Sequence, residues 1–252
     1  MISLEGKTAL VTGGSRGIGR ATALLLARAG ADVGITYHSR AGDAAAVVKE
    51  IRGSGRRAFH AGGDHADPAV VEQIFRGCAA AFGGLDIFVA NHGVWPVEPV
   101  ALARMDDARW RSTLSVNLDG VFLTTRAALR LLRPGGRVVL VSSTAGQRGE
   151  SYHADYAATK GALISLTKSL CVECAPDLTV NCVAPGWVDT EMSHPAFEAT
   201  ADAREKIAET IPLRRIPPAE DIAGPILFLC SDLARHITGE VLNVNGGSVL
   251  CG

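Results

Sequence analysis

Short, almost continuously apolar runs alternate with longer helix-patterned stretches from one end of this 252-residue chain to the other. The runs fall at Thr8–Thr12, Asp32–Tyr37, Ala58–Gly62, Asp86–Asn91, Arg137–Ser143, Thr179–Ala184 and Glu240–Val244, and several are rich in β-branched residues. Most are too apolar to face water on one side. Strands buried on both faces belong to parallel sheets covered by helices, since a crossover helix joins each parallel strand to the next. Seven such units predict an α/β fold, one doubly wound domain over residues 1–252 around a seven-stranded parallel sheet. A chain of 26.3 kDa buries about 70% of its surface on folding, so this core needs neither metal nor disulfide.

Other classes are excluded by charge and pattern. With 25 basic and 26 acidic residues the formal charge is −1, which offers nucleic acid or an anionic membrane no electrostatic footprint. Arg28, Arg126, Arg130 and Arg133 interrupt the apolar stretches, leaving no window of ~18 residues fit to span a bilayer. The first strand starts near Thr8, too early for a signal peptide. A soluble, cytoplasmic protein is expected. Cysteines stand at 78, 171, 174, 182, 230 and 251. Cys171 and Cys174 form a CxxC with no second Cys/His pair at ligand spacing, so buried structural thiols are favoured over a metal or redox site.

Thr12-Gly13-Gly14-Ser15-Arg16-Gly17-Ile18-Gly19 follows the first strand and opens a helix running to about Ala29. Glycines at such a turn admit a phosphate close to the backbone, and the helix start presents free N–H groups to it. A Rossmann-type dinucleotide site is the natural reading. The second strand ends in Tyr37-His38-Ser39-Arg40, where an NAD enzyme would place an acid against the ribose. Arg40 and Arg16 suit a 2′-phosphate instead, which favours NADP.

Tyr156 and Lys160 share one face of a predicted helix. A lysine cation nearby lowers a phenol from its usual pKa near ~10 toward the working range of an acid–base group. Ser143, ending the fifth strand, is placed to polarise a carbonyl. Asn117 interrupts an otherwise mostly apolar helical stripe of Trp110, Leu114, Val121, Thr125, Ala128 and Leu132, so its amide has either a catalytic role or that of a structural strut. A serine hydrolase is disfavoured, because Val141-Ser142-Ser143-Thr144-Ala145 lacks the glycines of a nucleophile elbow.

Taken together, these residues resemble the short-chain dehydrogenase/reductase family over essentially the whole chain. Thr12–Gly19 matches its TGxxxGxG, Asp64 its adenine-contacting Asp, and Asn91-His92-Gly93 its NAG turn with His92 in place of a small residue. Asn117, Ser143, Tyr156 and Lys160 match its catalytic set, and Pro185-Gly186 with Val188 and Thr190 its nicotinamide-side loop. The resemblance implies NADPH-dependent reduction of a ketone to a secondary alcohol. Ser143 would polarise the carbonyl and Tyr156 donate the proton. Lys160 would lower the tyrosine pKa and hold the nicotinamide ribose, and Asn117 would position a relay water. It also implies a homotetramer, and His65 beside Asp64 joins the cofactor set.

Within the family, Ile237-Thr238-Gly239-Glu240 through Asn245-Gly246-Gly247 and Pro212-Leu213-Arg214-Arg215 resemble 3-oxoacyl-acyl-carrier-protein reductases. A 3-oxoacyl thioester is the favoured substrate, another small or hydrophobic ketone the alternative, and a non-catalytic NADP sensor the reading from a different class. Acyl carrier protein is a candidate partner, although the stretches before the fifth strand and after the Tyr-Lys helix carry only one arginine. The substrate pocket is expected to be lined by Trp95, Ser143, Thr144, Gln147, His153, Tyr156, Trp187 and a substrate loop at 191–215. That loop belongs to the proline-rich segment Glu191–Ala219, with a short helix expected near Ala201–Glu209 and a plain surface insertion as the alternative reading.

Overall fold

The computed structural model describes residues 2–250. Seven strands, β1 (Thr8–Val11), β2 (Asp32–Tyr37), β3 (Ala58–Gly62), β4 (Leu85–Ala90), β5 (Leu132–Val141), β6 (Thr179–Pro185) and β7 (Val241–Val244), form one sheet in the order β3-β2-β1-β4-β5-β6-β7. Every neighbouring pair is parallel. Chain direction across the sheet reverses between β1 and β4, and a crevice opens there beyond the strands' carboxyl ends.

Helices cover both faces. On one side α1 (Gly17–Arg28), α2 (Ala41–Gly53) and α10 (Glu220–Leu229) close a core containing Leu26, Ile35, Ile51, Ile222 and Ile226. On the other, α3 (Pro68–Phe82), α5 (Gly120–Leu129) and α7 (Ala154–Glu173) bury Leu10, Phe88, Leu140 and Leu163. Helix α3 shows how locally the boundaries are written. The Asp67 carboxylate accepts from Ala69 N at 2.8 Å, Pro68 opens the helix and Gly83, at φ 71°, ends it; each residue type suits that position. Its buried Val71, Ile74, Phe75, Cys78 and Phe82 recur at helical spacing.

The helical stretch expected from Trp110 to Leu132 is instead broken into three pieces: α4 (Asp107–Leu114), a π turn at Ser115–Asp119, and α5. Leu132 leaves the helical stripe, because it pairs with Leu85 at the start of β5, ahead of a register shift. The segment after β6 folds as a short α8 (His194–Phe197) and α9 (Ala203–Thr210), near the expected helix. The short α6 (Thr144–Arg148) precedes α7. Cys78, Cys182 and Cys230 are buried free thiols, whereas Cys171 and Cys174 are only half-buried, at the end of α7 where one helix face meets solvent. Cys251 lies outside the described residues. No described helix is long and apolar enough to cross a membrane.

Candidate active site

The crevice is a cavity of about 590 Å³. Its floor is assembled by side chains that tie strand ends together. The Thr12 hydroxyl accepts from Asn91 N (3.0 Å) and His92 N (3.2 Å), and the Asn91 amide donates to Thr12 O (3.0 Å). Gly14 N donates to Thr36 O at 2.9 Å, which fixes the glycine loop against β2. Gly13, Ser15, Arg16, Gly17, Ile18, Tyr37, Ser39, Arg40, Asp64, His65, Asn91, Gly93, Pro185, Gly186, Val188 and Thr190 all border the cavity, as the sequence predicts. Gly19 does not. A Cβ there would sit 2.2 Å from the Gly13 carbonyl oxygen, so this glycine lets α1 pack on its own loop instead of touching a ligand.

The two arginines differ. Arg40 is paired with Asp43 at 3.2 Å, while Arg16, at the start of α1, has no ion pair among the described residues. Behind them His65 Nε2 lies 2.7 Å from the Thr36 hydroxyl, and the His65 and His92 rings meet at 4.5 Å. Burial lowers His65 to about 4 and His92 well below its ordinary value, so both rings are neutral at pH 7.

At the far end, Ser143, Tyr156 and Lys160 converge. Ser143 caps α6, its oxygen accepting from Ala145 N at 3.1 Å, and its hydroxyl meets the Tyr156 phenol. Lys160 is buried and donates to the Val141 carbonyl at 2.8 Å; burial lowers its pKa to about 8. The tyrosine departs from expectation. Burial pushes its phenol up to about 12, the Ser143 hydroxyl opposes that, and the Glu150 carboxylate adds to it. The Lys160 ammonium stands 5.7 Å from the ring centre and donates to the Val141 carbonyl. The phenol is therefore a neutral acid, and the lysine is the group that titrates near working pH.

Asn117 is buried inside the π turn, and its amide ties that turn to the loop and helix beside it, with Nδ2 donating at 3.4 Å to the Thr159 hydroxyl. Oδ1 accepts from Val94 N (2.7 Å) and Nδ2 donates to Val94 O (2.9 Å). The side chain does not border the cavity. Gly93 leaves room for it: a Cβ there would lie 3.1 Å from Asn117 Oδ1 and 3.4 Å from Lys160 Nζ. His92, the departure from a small residue, fits because Gly120 lacks a side chain; a Cβ at 120 would come within 2.9 Å of His92 Nε2. The ring's Nδ1 meets the Thr12 hydroxyl at 2.8 Å.

Trp95, Thr144 and Trp187 border the pocket, as do residues 191–193 of the long segment; the rest of 191–215 does not reach it. His153 is a correction. It is buried beneath Trp95, with ring centres at 4.1 Å and planes 18° apart, and it forms backing, not lining. Gln147 is likewise turned away and donates to Asn243 Oδ1 at 2.6 Å. Sequence reasoning missed Val94, Val116, Arg148 and Glu150 among the lining residues. None carries a local signal, since each reaches the cavity only through the placement of its loop or turn.

A family model described as Enoyl-(Acyl carrier protein) reductase matches residues 13–248. The chain is 39% identical over 249 residues to a 3-oxoacyl-(acyl-carrier-protein) reductase of Escherichia coli, covering 98% of each. Among solved structures, a short-chain dehydrogenase/reductase (glucose/ribitol dehydrogenase) of Brucella melitensis superposes with a TM-score of 0.92 at 35% identity, covering 99% of both chains. A short chain dehydrogenase of Burkholderia cenocepacia in complex with NADP gives 0.89 at 40% identity, over 97% of this chain and 98% of that one.

Proposed function

Because the chain belongs to the short-chain dehydrogenase/reductase family, we propose that it is an oxidoreductase that uses NADPH to reduce a ketone, favouring a 3-oxoacyl thioester. The observation that carries this reading is the meeting of the Ser143 hydroxyl with the Tyr156 phenol above a buried Lys160. Two O–H donors converging at one point suit an oxygen that gathers charge as its carbon is reduced. When bound, NADPH supplies the hydride. The cavity suits it: the bare loop at Gly13 and Gly17, the start of α1 and the unpaired Arg16 fit a phosphorylated dinucleotide.

The chain's own residues do the rest. Ser143 donates its hydroxyl hydrogen to the carbonyl oxygen, and Tyr156 transfers its proton there, giving the alcohol. Lys160 has three N–H donors, one held by Val141 O, which leaves two to restore the tyrosine proton.

The substrate reading rests on the largely apolar Trp95–Trp187 wall and on the relatives' activities. Arg133, at the start of β5, does not favour carrier docking, because it is already paired with Asp86 (2.9 Å) and donates to Phe82 O (3.3 Å). Free cysteines fit a reducing compartment such as the cytoplasm. The deciding experiment follows NADPH oxidation with an acetoacetyl thioester, free and carrier-bound, beside a crotonyl thioester and simple ketones. A tenfold preference in kcat/KM for the 3-oxo thioester, worth ~1.4 kcal/mol, upholds the reading. Preference for the crotonyl compound would make the chain an enoyl reductase, and preference for simple ketones would leave only the carbonyl-reductase class.

A further inference from the structure

Residues 92–101 carry no helix or strand, yet this loop is fastened at several points to the helices that bear the catalytic groups. The Asn117 amide holds both polar backbone groups of Val94. Arg109 donates to Glu98 O at 2.6 Å while its Nε pairs with the fully buried Asp155 at 3.1 Å. Val100 N donates to Tyr152 O at 2.9 Å. Asp155, Tyr152 and His153 all lie within four residues of Tyr156. The loop that carries Trp95 is thus indexed to the proton donor itself.

Trp95 is held in orientation as well as position. One face stacks on the His153 ring, its plane stands at 82° to Tyr156 with ring centres at 4.7 Å, and Trp187 faces it edge-on at 6.3 Å. Trp187 is braced in turn by the buried Phe197 at 5.8 Å. Both indoles remain partly exposed to the cavity. An aliphatic chain needs only apolar surface, which a mobile Leu or Met supplies. Fixed indole planes beside the reacting oxygen give an additional preference to a flat π-system, because ring pairs gain from geometry beyond the area they bury.

The geometry points to Trp95 as the specificity-determining wall, selecting carbonyl substrates whose substituent beside the ketone is planar, an aryl or conjugated group, over saturated groups of equal bulk. This rests on the carbonyl-reductase reading and narrows it: within 3-oxoacyl thioesters it favours those with an aryl group on the 3-oxo carbon. Arg109, paired with Asp155, is the positioning residue that keeps the wall in place.

The test compares kcat/KM for phenyl methyl ketone and cyclohexyl methyl ketone with NADPH in the wild type, Trp95→Leu and Trp95→Tyr. Conjugation makes the phenyl ketone intrinsically less reactive, but that factor cancels when the ratio is compared between enzymes. The phenyl-to-cyclohexyl ratio should fall about five- to tenfold in Trp95→Leu and stay within about twofold of wild type in Trp95→Tyr, which retains a flat ring. Arg109→Lys should lower the ratio in the same direction, through KM more than kcat. An unchanged ratio in Trp95→Leu overturns the inference, and so does a wild type that reduces an acetoacetyl thioester but neither ketone. A wild type that oxidises NADPH with none of these carbonyl compounds defeats the parent reading too, which separates the two failures.

Discussion

At the scale of single residues the site divides its proton chemistry unevenly. Tyr156, pushed up to about 12, keeps its proton through the working range, so Tyr156→Phe removes the acid without altering the cofactor's seat. Turnover should fall roughly 10²–10⁴-fold, with NADPH affinity by fluorescence titration almost unchanged; near-normal turnover would dismiss the residue as the donor. Lys160, lowered to about 8 by burial, is the group that responds to pH. Below that value it is an ammonium able to restore the tyrosine proton, and above it the ammonium is lost. For ketone reduction kcat/KM should therefore decline above about pH 8, with a slope approaching one. A profile flat to pH 9.5 would take Lys160 out of the proton path. The arginines differ by their partners: Arg40 is already engaged by Asp43. Arg16→Ala should weaken NADPH about tenfold and NADH little, since only NADPH brings the 2′-phosphate that a charge-assisted bond holds. Arg40→Ala should weaken NADPH less, and equal losses for both cofactors in both variants would contradict NADP selectivity.

Among the elements, the π turn between α4 and α5 is decisive. It sets Asn117 against Val94, and its C-terminal neighbour Gly120 gives His92 the space an ordinary helix residue would take. Local departures from α-helical winding are often found at functional sites for this reason, since the extra residue re-aims a side chain. Gly120→Ala should cost about 1–3 kcal/mol through overpacking against His92, seen as a Tm lower by several degrees. In a His92→Ala background the same substitution should cost much less, because the two sites share one space. Additive losses in that double-mutant cycle would show that the two residues do not compete.

For the molecule as a whole, the exposed surface of 11770 Å² exceeds the roughly 10,600 Å² of a compact monomer of this mass. Apolar side chains account for some of it: Phe122 on α5 is 48% exposed and Val172 on α7 is 77% exposed. A doubly wound domain leaves one face of such helices to water unless another subunit covers it. A homotetramer with two-fold interfaces is the expected state. Light scattering at micromolar concentration should give four times the chain mass, and a monomer there would refute it.

Much of this protein was legible in the chain itself. Strand and helix order, the glycine loop and the residues bordering the cofactor end are written in local patterns of period, capping and turn chemistry, which act between near neighbours and leave a readable trace. Tertiary structure alone decided the rest. Leu132 became a strand residue because Leu85, far away in sequence, pairs with it. Asn117 came to hold Val94 because the π turn brings the two together. His153 became the backing of Trp95, and burial pushed the Tyr156 phenol up. These outcomes depend on distance, orientation and desolvation between segments remote along the chain. No local pattern encodes them, because each is settled only when the sheet and its two helical layers have closed around the crevice.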